Sequence, residues 1–217
     1  MEIIHMLEKL PDVIGHALHD QRAGLDKLAF HKAGLRSGMA AITVSSLAFQ
    51  DHAPLPVLYT ADGPGHSPSL QWTGLPEQAQ SAVLIVEDAD APTPQPLVHA
   101  IVVALPPGDG ALREGAMNAL EGHEPEVSCG LNSLLQAHWL PPDPPPGHGV
   151  HRYAFQVFAL ATAPEWSAKP GRDEVLKAVQ AHALASGCLI GIYERPDGSQ
   201  KIGQTEAQVA PATPVGA

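Results

Sequence analysis

The run from Tyr153 to Leu160, with the sequence YAFQVFAL, places strong limits on the fold. Successive side chains of a β-strand point to opposite faces, and both alternating sets in this run are largely apolar. Such a strand has to be covered on two sides, either inside a sandwich of sheets or beneath a helix. We therefore expect it to be a central strand of a layered β protein.

Other short apolar runs follow one another beyond residue 40, separated by Pro, Gly, Asp and Ser. The 22 Pro and 20 Gly residues of the chain fit long loops between strands. The further expected strands are Ala41–Leu47, Ser81–Val86, Val98–Ala104 and Leu189–Glu194. A helix is expected from Asp173, with an apolar stripe that extends to Leu184 and a glycine end at Gly187. The pattern predicts a mostly β domain with this helix near its C-terminal end.

The two ends of the chain differ from this central part. Apolar residues at helical spacing fill residues 1 to 33, where Pro11 and Gly24 are expected to separate two short helices. We expect an N-terminal helical extension at 1–37, a β domain at 38–198 and a flexible polar tail at 199–217. The extension is expected to pack on the main domain or on another subunit, and its apolar stripe predicts a homodimer formed through these helices.

Charge and cysteine content exclude several classes of function. The formal net charge is −11, which repels nucleic-acid backbones and anionic membrane surfaces, so no nucleic-acid partner is expected. Cys129 and Cys188 form no CxxC pair, so neither a disulfide framework nor a structural zinc site is indicated. The sequence shows no signal peptide and no apolar stretch of membrane-spanning length. We expect a cytoplasmic protein that is not embedded in a membrane and that needs no cofactor.

Two segments carry the residues that point to a binding site. Asp88–Pro92, followed by His99, and Gly147–Tyr153 each lie at the end of an apolar run, where a rigid scaffold can hold them around one small ligand. His99 and His151 can donate N–H groups, and Asp88 is the natural carboxylate to orient an imidazole and raise its pKa. That pairing occurs in catalytic triads and in anion sites, so it does not by itself distinguish catalysis from binding.

Neighbouring residues are expected to complete and support the pocket. Tyr153 adds a hydroxyl donor and an aromatic wall. Arg152 faces the other side of the strand and is expected to pair with the acidic loop, which contains Asp88 and Asp90. Asp90 can serve either as a ligand residue or as a turn former that accepts backbone N–H groups. Prolines fix the loop backbone, which predicts a preformed pocket. These prolines are Pro92, Pro144, Pro145 and Pro146.

A metal site and a serine nucleophile are alternatives that the sequence supports less well. His148 and His151, with His99 and Asp88, have the ligand types of zinc, but Gly149 makes their segment a loop rather than the helix of a HExxH site. We therefore expect no metal. There is no GxSxG motif, and Ser67 lies among turn-forming residues, so we assign it a structural role.

Several motifs, taken together, resemble the phosphatidylethanolamine-binding proteins, also called Raf-kinase-inhibitor-like proteins, and in particular their bacterial members. The resemblance covers about residues 40 to 195 and rests on Tyr59–Gly63 with Ser67-Pro68 and Trp72, Asp88–Pro92, His99, and Pro144–Tyr153. It implies a β-sandwich built on a large antiparallel sheet, with a small anion pocket. In that pocket Asp88, His99, His151 and Tyr153 would surround a phosphate-like group, and Pro92, Pro144 and Pro145 would form walls.

The chain departs from the family pattern at three places. Ala89 replaces the first proline of the DPDAP motif, which should loosen the loop slightly. Leu97 and Val98 stand where eukaryotic members have an aromatic residue and a histidine, so we expect an aromatic wall to be missing. Asp143 aligns with a glycine of some members and adds a negative side chain beside the pocket.

Three functions follow from these observations. The first is a non-catalytic protein that binds a small anion or a phosphorylated head group, as in phospholipid binding, with a regulatory role. The second is an inhibitor or scaffold acting on a kinase or protease, which the resemblance implies and which an exposed proline-rich loop and the helical extension would serve. The third is a hydrolase with His99 or His151 as base and Asp88 as its orienting group.

Overall fold

The computed structural model describes residues 12–34, 40–119 and 123–195, so the predicted tail at 199–217 lies outside the described residues. The helices are α1 (Asp12–Leu18), α2 (Ala29–Lys32) and α3 (Arg172–His182), with 3-10 turns at Leu25–Lys27 and Val57–Tyr59. The strands are β1 (Ala40–Ala41), β2 (Thr43–Ser45), β3 (Ala53–Pro54), β4 (Leu70–Thr73), β5 (Ser81–Asp88), β6 (Leu97–Leu105), β7 (Gly110–Leu112), β8 (His151–Leu160) and β9 (Ala183–Tyr193).

The strands form a large sheet and a small one. The large sheet has the order β1-β9-β8-β5-β6; β9, β8, β5 and β6 are antiparallel, and the short strands β1 and β3 both pair with β9 in parallel. The small antiparallel sheet has the order β2-β4-β7. The expected mostly β architecture with a large antiparallel sheet is confirmed.

Strand β8 lies in the middle of the large sheet and is buried on both faces, as its sequence predicts. One face, including Phe155, packs in a core shared with Trp72 and Leu70 of the small sheet. The other face, including Phe158, packs against Val175 and Val179 of α3. Burial of a large aromatic or aliphatic side chain contributes roughly 1.5–3 kcal/mol, so these two cores hold the layers together.

The end of α3 differs from the sequence prediction. The helix ends at His182, and the residues expected to continue it to Gly187 belong to β9. Pairing with β8 overrides the helical pattern, and Ala183 is already opposite Leu160. Gly187 is not a helix cap: a Cβ atom there would lie 2.1 Å from the carbonyl oxygen of Ile42. The glycine permits a close backbone contact in the strand.

The expected single strand Ala41–Leu47 is also wrong, because the chain changes sheets within it. Ala40 and Ala41 pair with β9, and the N–H of Ile42 still donates to Ser186 O at 3.0 Å. Thr43–Ser45 then pair with β4 in the small sheet. The segment links the two layers instead of extending one of them.

The described part of the N-terminal extension packs on its own chain. Two short helices form, and Gly24, with φ 102°, lies between them. The N–H groups of Ala23 and Gly24 donate to Ala91 O and Ala89 O at 3.0 and 2.8 Å, which joins this segment to the loop after β5. Val13 of α1 remains 75% exposed, and the expected homodimer stays a prediction. Within the described ranges no helix has the length and apolar character needed to cross a membrane.

Candidate functional site

The pairing of three strands brings the predicted site residues together. Asp88 is the last residue of β5 and lies opposite Tyr153 of β8, two residues after His151. His99 belongs to β6, on the other side of β5, where Val98 pairs with Glu87 and Ala100 with Val86. His99 is therefore the extra residue of a β-bulge, a feature that redirects a side chain.

Asp88 and His151 form a buried pair. The Nδ1 atom of His151 lies 2.7 Å from Oδ2 of Asp88, and the side chains are 1% and 6% exposed. The second oxygen of Asp88 accepts the N–H of Asp90 at 2.8 Å. This turn fixes the carboxylate, and the carboxylate in turn orients the imidazole.

His148 occupies the other side of the His151 ring. Its Nδ1 lies 2.6 Å from Nε2 of His151, and its Nε2 lies 2.8 Å from the carbonyl oxygen of Leu18 in α1. The nitrogen of His151 that faces away from Asp88 is thus already hydrogen-bonded within the protein. We refer to Asp88, His151, His148 and the Leu18 carbonyl as the histidine chain.

The histidine chain needs a proton in each of its three hydrogen bonds. A carbonyl and a carboxylate only accept, so Nε2 of His148 and Nδ1 of His151 both carry hydrogen, and a third hydrogen lies between the two rings. Burial lowers the pKa of His148, and the neighbouring His151 ring lowers it further.

His99 and Tyr153 end in polar atoms that the surrounding protein does not satisfy. Nδ1 of His99 donates to Leu140 O at 2.6 Å, whereas its Nε2 and the Tyr153 hydroxyl are buried and have no hydrogen-bond partner among the described residues. The two rings meet edge to face with centroids 5.1 Å apart. Buried polar atoms are nearly always paired, so two orphans on adjacent rings indicate a ligand position.

The surroundings keep both of these groups neutral. Burial lowers the pKa of His99, although the negative charge of Asp88 opposes the effect. Burial also raises the pKa of Tyr153 well above its usual value, and the nearby carboxylates of Asp88 and Asp143 add to this. At neutral pH the site therefore contains a protonated phenol and a neutral imidazole.

Asp90 and Arg152 form a separate network beside the histidine chain. Asp90 is fully buried and accepts two hydrogen bonds from the Arg152 guanidinium, at 2.7 and 2.6 Å, and pairs with Arg22 at 2.9 Å. Burial would raise the pKa of Asp90, but the hydrogen bonds from Arg152 and Arg22 outweigh it and hold the pKa below its usual value. Arg22 also donates to the carbonyls of His148 and Val150. This network fixes the loops around the site to the N-terminal segment.

Arg195 is a buried cation that the sequence analysis did not identify. It pairs with Asp62 at 2.8 Å and with Asp143 at 2.6 Å, and it donates to Pro144 O at 3.0 Å. The extra negative side chain at position 143 is thus neutralised by Arg195. An arginine just after a strand, with two aspartates far away in sequence, gives no local signal of this arrangement.

The proline-rich loop does not have the exposure that the sequence analysis expected. Pro144, Pro145 and Pro146 are buried, since Arg195 binds the first carbonyl and Pro145 O accepts the N–H of His148. Pro92 is half-buried in the turn four residues after Asp88. The loop is therefore a support of the site and not a free surface.

An aromatic ring also lies beside His99, although the expected family position is aliphatic. Trp139, which the sequence analysis did not select, has its ring centroid 6.1 Å from that of His99 and stacks on Phe155. The predicted loss of an aromatic wall is therefore wrong, because a different part of the chain supplies one.

Metal and nucleophile chemistry find little support in this geometry. His148 and His151 direct nitrogens at each other, and no group of three His, Cys, Asp or Glu side chains in the described part of the chain is arranged to hold a metal ion. Ser67 is fully buried, and its hydroxyl oxygen accepts the N–H of Met117 at 3.2 Å. Its burial and this hydrogen bond are those of a structural residue.

The fold is a two-layer β architecture in which the acidic loop at Asp88–Pro92 meets the HRY segment, His151–Tyr153, at the ends of paired strands. The family model for phosphatidylethanolamine-binding protein matches residues 45–194. The chain belongs to the phosphatidylethanolamine-binding protein family.

Relatives and solved structures agree with this assignment. A UPF0098 protein of Methanothermobacter thermautotrophicus is 37% identical over 149 residues, which cover 68% of this chain and 95% of the relative. A UPF0098 protein of Aquifex aeolicus is 35% identical over 73% of this chain and 92% of its own length. Among crystal structures, the phosphatidylethanolamine-binding protein homologue CT736 of Chlamydia trachomatis is 33% identical, with TM-score 0.63, over 71% of this chain and 98% of that protein. Escherichia coli YbcL, described as a member of the same family, is 27% identical, with TM-score 0.65, over 72% of this chain and 99% of YbcL.

Proposed function

We propose that this protein is a non-catalytic binding protein for a small oxyanion or a phosphorylated head group. The observation that carries the proposal is the pair of unsatisfied polar atoms, Nε2 of His99 and the hydroxyl of Tyr153, buried next to the Asp88–His151 pair. A ligand that hydrogen-bonds to both atoms removes two desolvation costs of roughly 1–3 kcal/mol each. Family membership supports a role in small-ligand binding.

Catalysis is disfavoured because the candidate base is already engaged. Both nitrogens of His151 are hydrogen-bonded, to Asp88 and to His148, and Nδ1 of His99 is bound to Leu140 O. A general base needs a free nitrogen within reach of both a nucleophile and a substrate. His99 Nε2 has the free lone pair, but no serine or cysteine is hydrogen-bonded to it within the described residues.

Ligand entry requires some movement of the surrounding segments, because the site is closed. His99, His151 and Tyr153 are at most 3% exposed. Leu18 and Arg22 of the N-terminal segment contact His148 and the loop that precedes His151. The segment at residues 12–24 is therefore the part whose displacement would uncover the histidine chain.

Nuclear magnetic resonance of the histidine rings tests the proposal. Addition of phosphate or phosphoethanolamine should shift the imidazole signals of His99 and His151, while His182, exposed at the end of α3, serves as an internal control. Tyr153→Phe should weaken binding roughly tenfold by removing one hydrogen bond. Unchanged His99 and His151 signals at millimolar concentrations of both ligands would reject the proposed function.

A further inference from the structure

His99 presents a lone pair, not a hydrogen, to the ligand position. Its Nδ1 hydrogen is used by Leu140 O at 2.6 Å, and burial keeps the ring neutral, so Nε2 is a bare acceptor. Tyr153, on the adjacent ring, keeps its hydroxyl hydrogen and can donate it. The position therefore offers an acceptor at His99 and a donor at Tyr153, and the indole N–H of Trp139, beside His99, is a further buried donor without a partner among the described residues. The acceptor distinguishes this position from a site lined by donors alone.

The neighbouring charges add no net positive potential. In the histidine chain the two ring nitrogens of His151 face Asp88 and His148, so neither of them donates to a ligand. The other charged groups close to the site are also paired with each other. These are Asp90 with Arg152 and Arg22, and Arg195 with Asp62 and Asp143. In these two networks three carboxylates are thus paired with three guanidinium groups.

We infer that this site selects an oxyacid that retains a proton when bound, such as hydrogen phosphate, over a fully ionised oxyanion such as sulfate. The inference rests on the proposed function and specifies its ligand class. The acid O–H of the ligand donates to Nε2 of His99, and another oxygen of the same ligand accepts the hydrogen of Tyr153. A fully ionised oxyanion would direct an oxygen lone pair at the lone pair of His99, and a buried clash of this kind is strongly unfavourable.

Three tetrahedral anions distinguish the effect of the ligand's charge on affinity from the effect of its protonation. Inorganic phosphate keeps at least one proton across the neutral range, sulfate has none, and a phosphate monoester such as methyl phosphate is protonated only below its second pKa of about 6. Calorimetric titration of the full chain at neutral pH should give phosphate an affinity roughly ten- to a hundredfold above that of sulfate. The affinity for methyl phosphate should fall about tenfold for each pH unit above that pKa.

The state of the His99 ring provides a readout that does not depend on affinity. In the phosphate complex, ¹⁵N signals should show His99 still neutral, with hydrogen on Nδ1. The variant His99→Gln, whose amide can turn its NH₂ toward the ligand, should reduce the preference for phosphate over sulfate, while Tyr153→Phe should weaken both ligands alike.

The possible results are distinguishable. Equal affinities for phosphate and sulfate, or an imidazolium at His99 in either complex, would overturn the inference and leave the binding function in place. If phosphate, sulfate and methyl phosphate all fail to bind at millimolar concentration, the proposed function is wrong as well.

Discussion

His99 shows how one residue can depart from what its local sequence indicates. A histidine at the start of an apolar run could be a satisfied structural residue, and half of its ring is satisfied by Leu140 O. The bulge in β6 redirects the side chain toward Tyr153, and the other nitrogen stays unpaired within the described structure. The sequence places His99 near Asp88 because both lie at strand ends, but a bulge and a distant carbonyl leave no local pattern from which to predict them.

Burial of a neutral His99 makes stability depend on pH. The pKa of His99 in the folded protein lies below its ordinary 6.5, so the unfolded chain binds a proton that the folded protein does not. As the pH falls below 6.5, the free energy of unfolding should decrease by up to about 1.4 kcal/mol per pH unit, until the folded-state pKa is reached. Urea unfolding between about pH 5 and 7.5 measures this slope.

Two variants assign that slope to a particular ring. His99→Gln should reduce the pH dependence over this range, whereas His182→Gln, at an exposed position, should leave it unchanged. If His99→Gln keeps the full wild-type slope, the neutral buried state assigned to His99 is incorrect.

At the scale of elements, the N-terminal segment at residues 12–34 is joined to the site by backbone hydrogen bonds and by the side chain of Arg22. Ala23 and Gly24 donate to the loop after β5, and Arg22 bridges Asp90 and the carbonyls of His148 and Val150. Leucine spacing predicts helices in this segment but not their partner, because the same stripe fits the main domain or a second subunit. Arg22 contacts residues that are far away in the sequence, so no local sequence pattern predicts these contacts.

Arg22→Ala should loosen this segment from the site. The variant leaves two carbonyls and one buried carboxylate with fewer donors, which should increase the hydrogen exchange of the Ala23 and Gly24 amides roughly tenfold. Hydrogen-exchange mass spectrometry of the peptides that contain these amides measures the change. Lys32→Ala, at an exposed position of the same segment, is the matched control, with little change expected. Equal effects of the two variants would show that Arg22 is not the residue that holds the segment closed.

Across the whole molecule, the apolar pattern predicts the strands well. It predicts poorly where the chain passes from one sheet to the other or from helix to strand. β5, β6 and β8 agree with their predicted cores because both of their faces are buried, which produces continuous apolar runs. The chain passes from the large sheet to the small one at Ile42, which still bonds to β9, and Ala183 is in a strand because it pairs with β8. Neither pairing leaves a pattern in the local sequence. The site follows the same rule, since its acidic loop and HRY segment lie at predicted strand ends, while Trp139 and Arg195 join it through tertiary contacts.

Glu87 links the layers of the molecule through one buried carboxylate. This fully buried side chain of β5 accepts the N–H of Ala29 in α2 at 2.7 Å, the amide of Gln156 in β8 at 2.9 Å and the guanidinium of Arg172 in α3 at 2.6 Å. It therefore ties the N-terminal segment, the large sheet and the covering helix together. A carboxylate with three donors is stable when buried, whereas loss of one partner leaves an unbalanced charge or unpaired donors.

A double-mutant cycle at Glu87 and Arg172 tests whether this link acts as a unit. Glu87→Gln should lower the free energy of unfolding by about 3–5 kcal/mol, because an amide then faces three donors. Arg172→Met should also be destabilising, since it leaves the carboxylate without its cation. In the double variant the cost should be roughly 1–3 kcal/mol smaller than the sum of the single costs, as measured by urea unfolding. Lys177→Met, at an exposed position of α3, is the control and should change little. Strictly additive costs would mean that the charge of Glu87 is balanced by the backbone and Gln156 alone, and that α3 is held to the sheet by Val175 and Val179 without help from the ion pair.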